Sequence, residues 1–356
     1  MIIRDILLSN FRIYSEEEGF EFSPDVNGII GENAHGKTTL LEAVYMISRG
    51  KGFREKEEFE LLTFGEENGH LIGTLHDDEG VSHERAIIYR GTKNGEDEPK
   101  LEKKFYLDKA PSGQVRYARS NPPVVLFAPQ HMDIVVHGPS YRREYFNNVI
   151  ASRDLDYYKA IREYDAVLRR RNALLENYID MATLSKEIVH WNDLLLSNAK
   201  IIQNGRQKYI EFLHEESICA GKNFQVIYHK NRLDEMRVEE LFEKEAFARR
   251  TLAGPQKDDF EFQIMTSENK YVSVHAYASR SQQRLAILWL KMRELEYKVS
   301  ADSKPILLLD DVYSEFDTSY RHIITSIIPQ YQTFVTATEE IALPSDITRN
   351  MAVLRV

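Results

Sequence analysis

GENAHGKTT, residues 31–39, is the stretch that decides the fold. It reads G-x-x-x-x-G-K-T-T and stands between an apolar run, VNGII at 26–30, and a segment of helical periodicity. Glycines let backbone N–H groups converge on phosphate oxygens, and a helix starting at Lys37 adds the positive end of its dipole. In that frame Lys37 reaches β- and γ-phosphates and Thr38 offers a hydroxyl to Mg²⁺. Gly31, Glu32, Asn33, Ala34, His35, Gly36, Lys37, Thr38 and Thr39 are therefore the candidate nucleotide-binding residues, His35 mainly through its backbone. Beyond Lys37, Leu40, Leu41, Ala43, Val44, Met46 and Ile47 recur at helical spacing, and Gly50 is a C-cap candidate.

The partner motif lies far away. ILLLDD at 306–311 is an apolar run that ends in two acids. A buried strand delivering an Asp beside a phosphate loop is the Walker B pattern: Asp310 holds Mg²⁺, and Asp311 orients or deprotonates the attacking water. Lys37 and Asp310 are 273 positions apart (310 − 37). That separation is the arrangement of ABC-type ATPases of the SMC and Rad50 group, whose heads are assembled from the two ends of the chain. ASRSQQR at 278–284 opens a helix shortly before Walker B and resembles the ABC signature. Its residues Ser279, Arg280, Ser281 and Gln282 are candidates for the γ-phosphate held by a second subunit. FAPQ resembles a Q-loop, with Gln130 placed to sense Mg²⁺ and water, and SEFD at 314–317 resembles a D-loop.

The bulk properties fit this frame. At roughly 150 residues per domain, 356 residues suggest two domains or one large fold with an insertion. The 42% hydrophobic and 29% charged content is that of an ordinary globular protein. A single cysteine, Cys219, excludes an internal disulfide and suits a reducing, cytoplasmic setting. No apolar run reaches membrane-span length, and the start lacks the pattern of a signal peptide. A net charge of −10 argues against non-specific coating of nucleic acid, while leaving room for a local basic patch. No metal-binding histidine spacing and no G-x-S-x-G elbow occur.

Strands are expected near the start of the chain, antiparallel strands between 69 and 107, and helices over roughly 140–220 with Ser140 as the first N-cap. No proline occurs between Pro139 and Pro255. Strands return at 224–229 and 260–265. The fold class is thus α/β: an ABC-type head of the P-loop NTPase class with an inserted compact helical arm. The expected partition is 1–138 for the N-terminal part of the head, 139–250 for the arm and 251–356 for the C-terminal part.

SNFRIY, GENAHGKTTLLEAVYMISRGKGFR, VVLFAPQHMDIVVHGPSYRREYF, LAGPQKDDF, YASRSQQR and ILLLDDVYSEFD together resemble the RecF family of bacterial recombination-mediator ATPases, from residue 1 to about 340. The resemblance implies an ATP-dependent homodimer and a slow, Mg²⁺-dependent, DNA-stimulated ATPase. It also implies binding to double-stranded DNA and to junctions at single-strand gaps, and work with RecR and RecO to load RecA in repair and replication restart. Arg12, in NFRIY, resembles a family residue near the nucleotide.

Three departures stand out. Ser281 occupies a position where the family carries glycine, and Arg280 is bulky for a signature. Asp311 stands for the ABC catalytic glutamate, as in the family, and fits slow hydrolysis. The switch histidine falls near Ala337 and is absent, with Thr336 or Thr338 the available substitutes. For DNA, residues 139–180 hold eight Lys/Arg against seven Asp/Glu, a net +1 beside −10 for the chain. Arg142, Arg143, Arg169, Arg170 and Arg171 are the candidates, the last three splayed over several helix faces. Three other readings stay open: an SMC-like ATPase of another role such as a defence sensor, a transporter cassette, and a nucleotide-gated scaffold without useful turnover.

Overall fold

The computed structural model describes residues 1–54, 58–92, 100–300, 303–315 and 318–356. The D-loop candidates Phe316 and Asp317 lie outside these residues. Two compact units form: Met1–Gln130 with Leu295–Val356, and His131–Glu294. The arm expected at 139–250 lies inside the second.

In the first unit, five parallel strands form a sheet in the order Met351–Arg355, Val26–Ile30, Thr333–Ala337, Ile306–Leu309, Val124–Phe127. Strands covered on both faces need apolar side chains throughout, and Val26–Ile30 and Ile306–Leu309 are buried at every position. Register pairs Ile30 with Ala337, and Leu309 with both Val335 and Phe127. The loops after these strands therefore leave along one edge, the edge where ligands of open α/β sheets bind. Met351–Arg355 carries no strong strand signal and was not expected from sequence. It is recruited by pairing with Val26–Ile30.

A second sheet of six antiparallel strands runs Glu18–Glu21, Ile2–Ser9, Asn68–His76, Ser82–Thr92, Lys100–Leu107, Ala110–Ser112. Alternate residues of Asn68–His76 are buried, as one covered face requires. The helix Lys37–Arg49 packs with both sheets. Leu40, Leu41, Val44 and Ile47 share one core with Ile3, Ile6, Leu71 and Leu75 of the antiparallel sheet, and with Ile29, Leu126, Leu308 and Phe334 of the parallel one. Each such side chain contributes about 1.5–3 kcal/mol by burial, so the phosphate loop is anchored by a fully committed helix. Gly50 ends that helix as expected, at φ 70 with its N–H on the Met46 carbonyl.

The second unit is built from the helices Pro139–Arg153, Leu155–Asn177, Met181–Glu187, Val189–Glu215 and Glu235–Ala248. A four-stranded sheet completes it, in the order Tyr271–Ser273, Asp259–Met265, Lys222–His229, Ile218–Cys219. The first helix begins two residues earlier than the Ser140 cap predicts. Gly138 is its N-cap and Pro139 its first residue, because proline has the helical φ preset and no N–H to satisfy there. Ser140 is thus inside the helix. Asp154, Asp180 and Asp234 cap three other helices with side-chain oxygens. Phe146 stacks on Phe260 at 4.0 Å and Tyr228 covers the same ring at 5.1 Å, joining helix to sheet. Tyr157 and Tyr164 are buried core residues. Cys219 is buried as well, and burial pushes its thiol up to about 11, which removes thiolate chemistry at neutral pH. Among the described residues, no helix is long and apolar enough to cross a membrane.

Candidate nucleotide site

The site lies in the first unit, at the sheet edge where Val26–Ile30, Thr333–Ala337 and Ile306–Leu309 end. Gly36 has φ 101, and a Cβ there would come within 2.8 Å of the Tyr14 hydroxyl, so glycine is required on both counts. Glu32, Asn33, Ala34 and His35 are exposed, while Thr39 is buried under the helix start. The Lys37 ammonium folds over the loop and donates to the carbonyls of Gly31 at 2.7 Å and Glu32 at 2.8 Å. These are hydrogen bonds that phosphate oxygens can take over.

Thr38 and Asp310, 272 positions apart, meet here. The Thr38 hydroxyl donates to Asp310 Oδ1 at 2.9 Å. Thr336 donates to the same oxygen at 3.0 Å. Burial raises the pKa of Asp310, and it outweighs the opposing hydrogen bonds from Thr38 and Thr336 and the charge of Arg54. A hydroxyl and a carboxylate oxygen this close are hard donors of the kind Mg²⁺ takes, so the donor set fits that ion. Asp311 is exposed and has φ 51, a left-handed conformation unusual for a non-glycine residue. Gln130 is exposed at the end of the neighbouring strand, beyond Phe127.

Behind the phosphate loop lies an ion cluster. Glu42, fully buried on the phosphate-loop helix, accepts from Arg12 through Nε and, at 3.1 Å, Nη2. It also accepts from Arg54 through Nε at 3.1 Å and Nη2 at 2.8 Å. The backbone N–H groups of Phe53 and Arg54 add two bonds at 3.1 Å. Burial alone would raise the Glu42 pKa, but the Arg12 and Arg54 hydrogen bonds and charges outweigh it and hold it below the usual range. Arg12 is thus committed to Glu42, with its Nη1 on the Glu60 carbonyl at 3.3 Å. Arg54 extends to the Thr39 hydroxyl at 3.2 Å, in the first turn of the phosphate-loop helix. Sequence reading missed Glu42 and Arg54 as site residues. The available signal was an acid on the apolar face of a helix, which requires a buried cation.

The sign of this shift gives a prediction. A carboxyl held below its ordinary pKa in the folded state contributes stability above that ordinary value, and loses it as pH falls through the folded pKa. Urea unfolding of Glu42→Gln should show about 3 kcal/mol lost at pH 7, where two arginines are left unbalanced, and a shallower decline than wild type on acidification below pH 4.5. Equal slopes would remove Glu42 from the acid response.

In the second unit, the signature residues open the helix Arg280–Lys298. The Ser279 N–H donates to Gln282 Oε1 at 2.9 Å, and the Gln282 N–H donates to Ser279 Oγ at 3.3 Å. This reciprocal capping box fixes the start of the helix. Acting as acceptor in that bond, the exposed Ser279 hydroxyl keeps its own proton to donate. Arg280 is exposed, with Nη1 donating to Gln283 Oε1 at 3.4 Å, and Ser281 is half-buried.

With these sites located, two comparisons bear on family. The AAA ATPase domain family matches residues 1–247. The DNA replication and repair protein RecF of Alkaliphilus oremlandii is 30% identical across 95% of this chain and 93% of its own length. The chain belongs to the RecF family. Among solved structures, the recombination mediator protein RecF-ATPrS in the RecFOR pathway superposes with a TM-score of 0.84 at 26% identity, covering 99% of this chain and 95% of that one. RecF-ATP of the same pathway gives 0.81 at 27% identity, covering 95% and 93%. Members of the RecF family are DNA replication and repair proteins, and this chain shares their mixed α/β ATPase fold.

The arginines considered for DNA separate sharply. Arg171 is buried, with Nη2 on Glu245 at 2.7 Å, Nη1 on Thr251 at 2.8 Å and Nε on Asn192 at 2.8 Å, so it ties the core together and is closed to DNA. Arg142 forms a two-pronged pair with Asp259 at 2.7 and 3.1 Å and also donates to the His137 carbonyl. Arg143 is half-buried and donates to the Asp258 carbonyl at 3.0 Å. Arg169 and Arg170 are exposed.

Proposed function

We propose that this chain binds ATP with Mg²⁺ at residues 31–39, dimerises on it, and in that form binds DNA at single-strand gaps to help load RecA. The observation that carries the nucleotide half is the 2.9 Å bond joining Thr38 to Asp310 across 272 positions. It brings the two motifs that phosphoryl-transfer sites require to one point. Mg²⁺ supplies charge neutralisation on β- and γ-phosphate oxygens, and Thr38, Asp310 and Gln130 are the residues to hold it. Lys37 leaves its loop carbonyls for the phosphates. Asp311 orients the attacking water, and Ser279–Gln282 of one subunit face the γ-phosphate bound by the other. Slow turnover then releases the dimer.

DNA and the pathway partners RecR, RecO and RecA come from the family relation. About 30% identity over 95% of the chain favours this role over an SMC-like sensor or a transporter cassette. Arg169 and Arg170, being exposed, are the arm residues best placed for phosphate contacts, which predicts salt-sensitive binding.

The test is solution mass with and without ATP and Mg²⁺, and with and without gapped DNA. ATP should convert monomer to dimer, Asp311→Asn should prolong the dimer, and gapped DNA should bind the dimer more tightly. A mass indifferent to ATP would end the clamp reading and leave nucleotide binding alone.

A further inference from the structure

The absent switch histidine leaves open what disciplines the two acids of the Walker B motif. Thr338 is exposed and Thr336 is 1% exposed, in the middle strand of the parallel sheet between the phosphate-loop strand and the Walker B strand. Its hydroxyl accepts the Asp311 backbone N–H at 2.8 Å and lies 3.0 Å from Asp310 Oδ1, the oxygen that also receives Thr38. The proton inventory sets the direction of this chain. An N–H can only donate, so Thr336 Oγ1 accepts from Asp311. Its single proton then goes to Asp310 Oδ1 at 3.0 Å in preference to the Leu309 carbonyl at 3.5 Å. One hydroxyl thus ties the backbone of one acid to the side chain of the other. The bond also supports Asp311 in its left-handed conformation (φ 51), which a non-glycine residue adopts only when its surroundings impose it.

We propose that Thr336 is the positioning residue of the hydrolytic centre, locking Asp310 and Asp311 into one unit so that their separate tasks are performed from fixed places. It is too deeply buried to touch a phosphate as a switch histidine does, and it acts through the two acids. This rests on the reading of Asp310 and Asp311 as the ATPase pair. The tie acts on the attack geometry. Nucleotide affinity, which rests on the loop and Lys37, is left nearly intact.

The experiment compares Thr336→Val, which keeps the shape and removes the hydroxyl, with Thr336→Ser, which keeps the hydroxyl. ATP turnover with gapped DNA gives kcat, and calorimetry gives the ATP Kd. The expected result is a kcat at least tenfold lower in Thr336→Val, a Kd within threefold of wild type, and a kcat within threefold of wild type in Thr336→Ser. An active wild type with an equally active Thr336→Val overturns the inference and spares the ATPase reading. The inference also falls if Kd loss matches kcat loss, or if serine fails to rescue. A wild type that binds ATP but never hydrolyses it removes both.

Discussion

Lys37→Ala is expected to lower ATP affinity roughly 100- to 1,000-fold, the effect of losing about two charge-assisted hydrogen bonds to phosphate. The structure makes this a clean experiment. Lys37 bonds to the Gly31 and Glu32 carbonyls, which belong to the partly exposed loop, so water can replace the ammonium without leaving a buried group unpaired. The helix it begins is held by the shared core of both sheets, and alanine is the best helix former. Thermal stability without ATP should therefore stay near wild type, and the stabilisation that ATP gives wild type should vanish. Calorimetry and thermal melts with and without ATP would check both halves. An alanine variant that keeps its ATP-induced stabilisation would mean that the nucleotide is held elsewhere.

Arg171→Ala should destabilise the second unit by about 3–5 kcal/mol, because it leaves Glu245 charged and unpaired in the interior. Thr251 and Asn192 lose their donor too, and the loss is therefore structural. Urea unfolding should show it directly. Arg169→Ala and Arg170→Ala, two and one positions away, should leave the unfolding midpoint within error and weaken DNA binding at low salt. A folded Arg171→Ala variant with selectively lost DNA affinity would reverse the assignment of these three arginines. The comparison separates a charge that supports the fold from charges that face solvent, which a charge count along the sequence leaves undivided.

Much of the site is legible in the sequence. The phosphate loop, its helix and the C-cap at Gly50 follow from short-range rules: glycine where φ is positive, a lysine at the helix start, apolar residues at helical spacing. The Walker B strand is legible because a strand buried on both faces is an unbroken apolar run. The strand Met351–Arg355 is not, since it exists by pairing with a neighbour 325 positions earlier (351 − 26). Arg12 illustrates the same limit. Its sequence context points toward nucleotide, while its guanidinium is held by Glu42, and Arg54 is the arginine that reaches Thr39.

Residue order therefore settles the nucleotide motifs, their succession along the chain, the α/β class and the family, because each depends on residue type within a few positions of its neighbours. Long-range packing decides which arginines are spent on the core, that Glu42 gathers Arg12 and Arg54 behind the loop, and that Thr336 stands between the two acids. Those outcomes depend on which strand lies beside which, and on which helix face turns inward. Both are settled by burial and pairing between segments up to hundreds of residues apart, where local propensity carries no information.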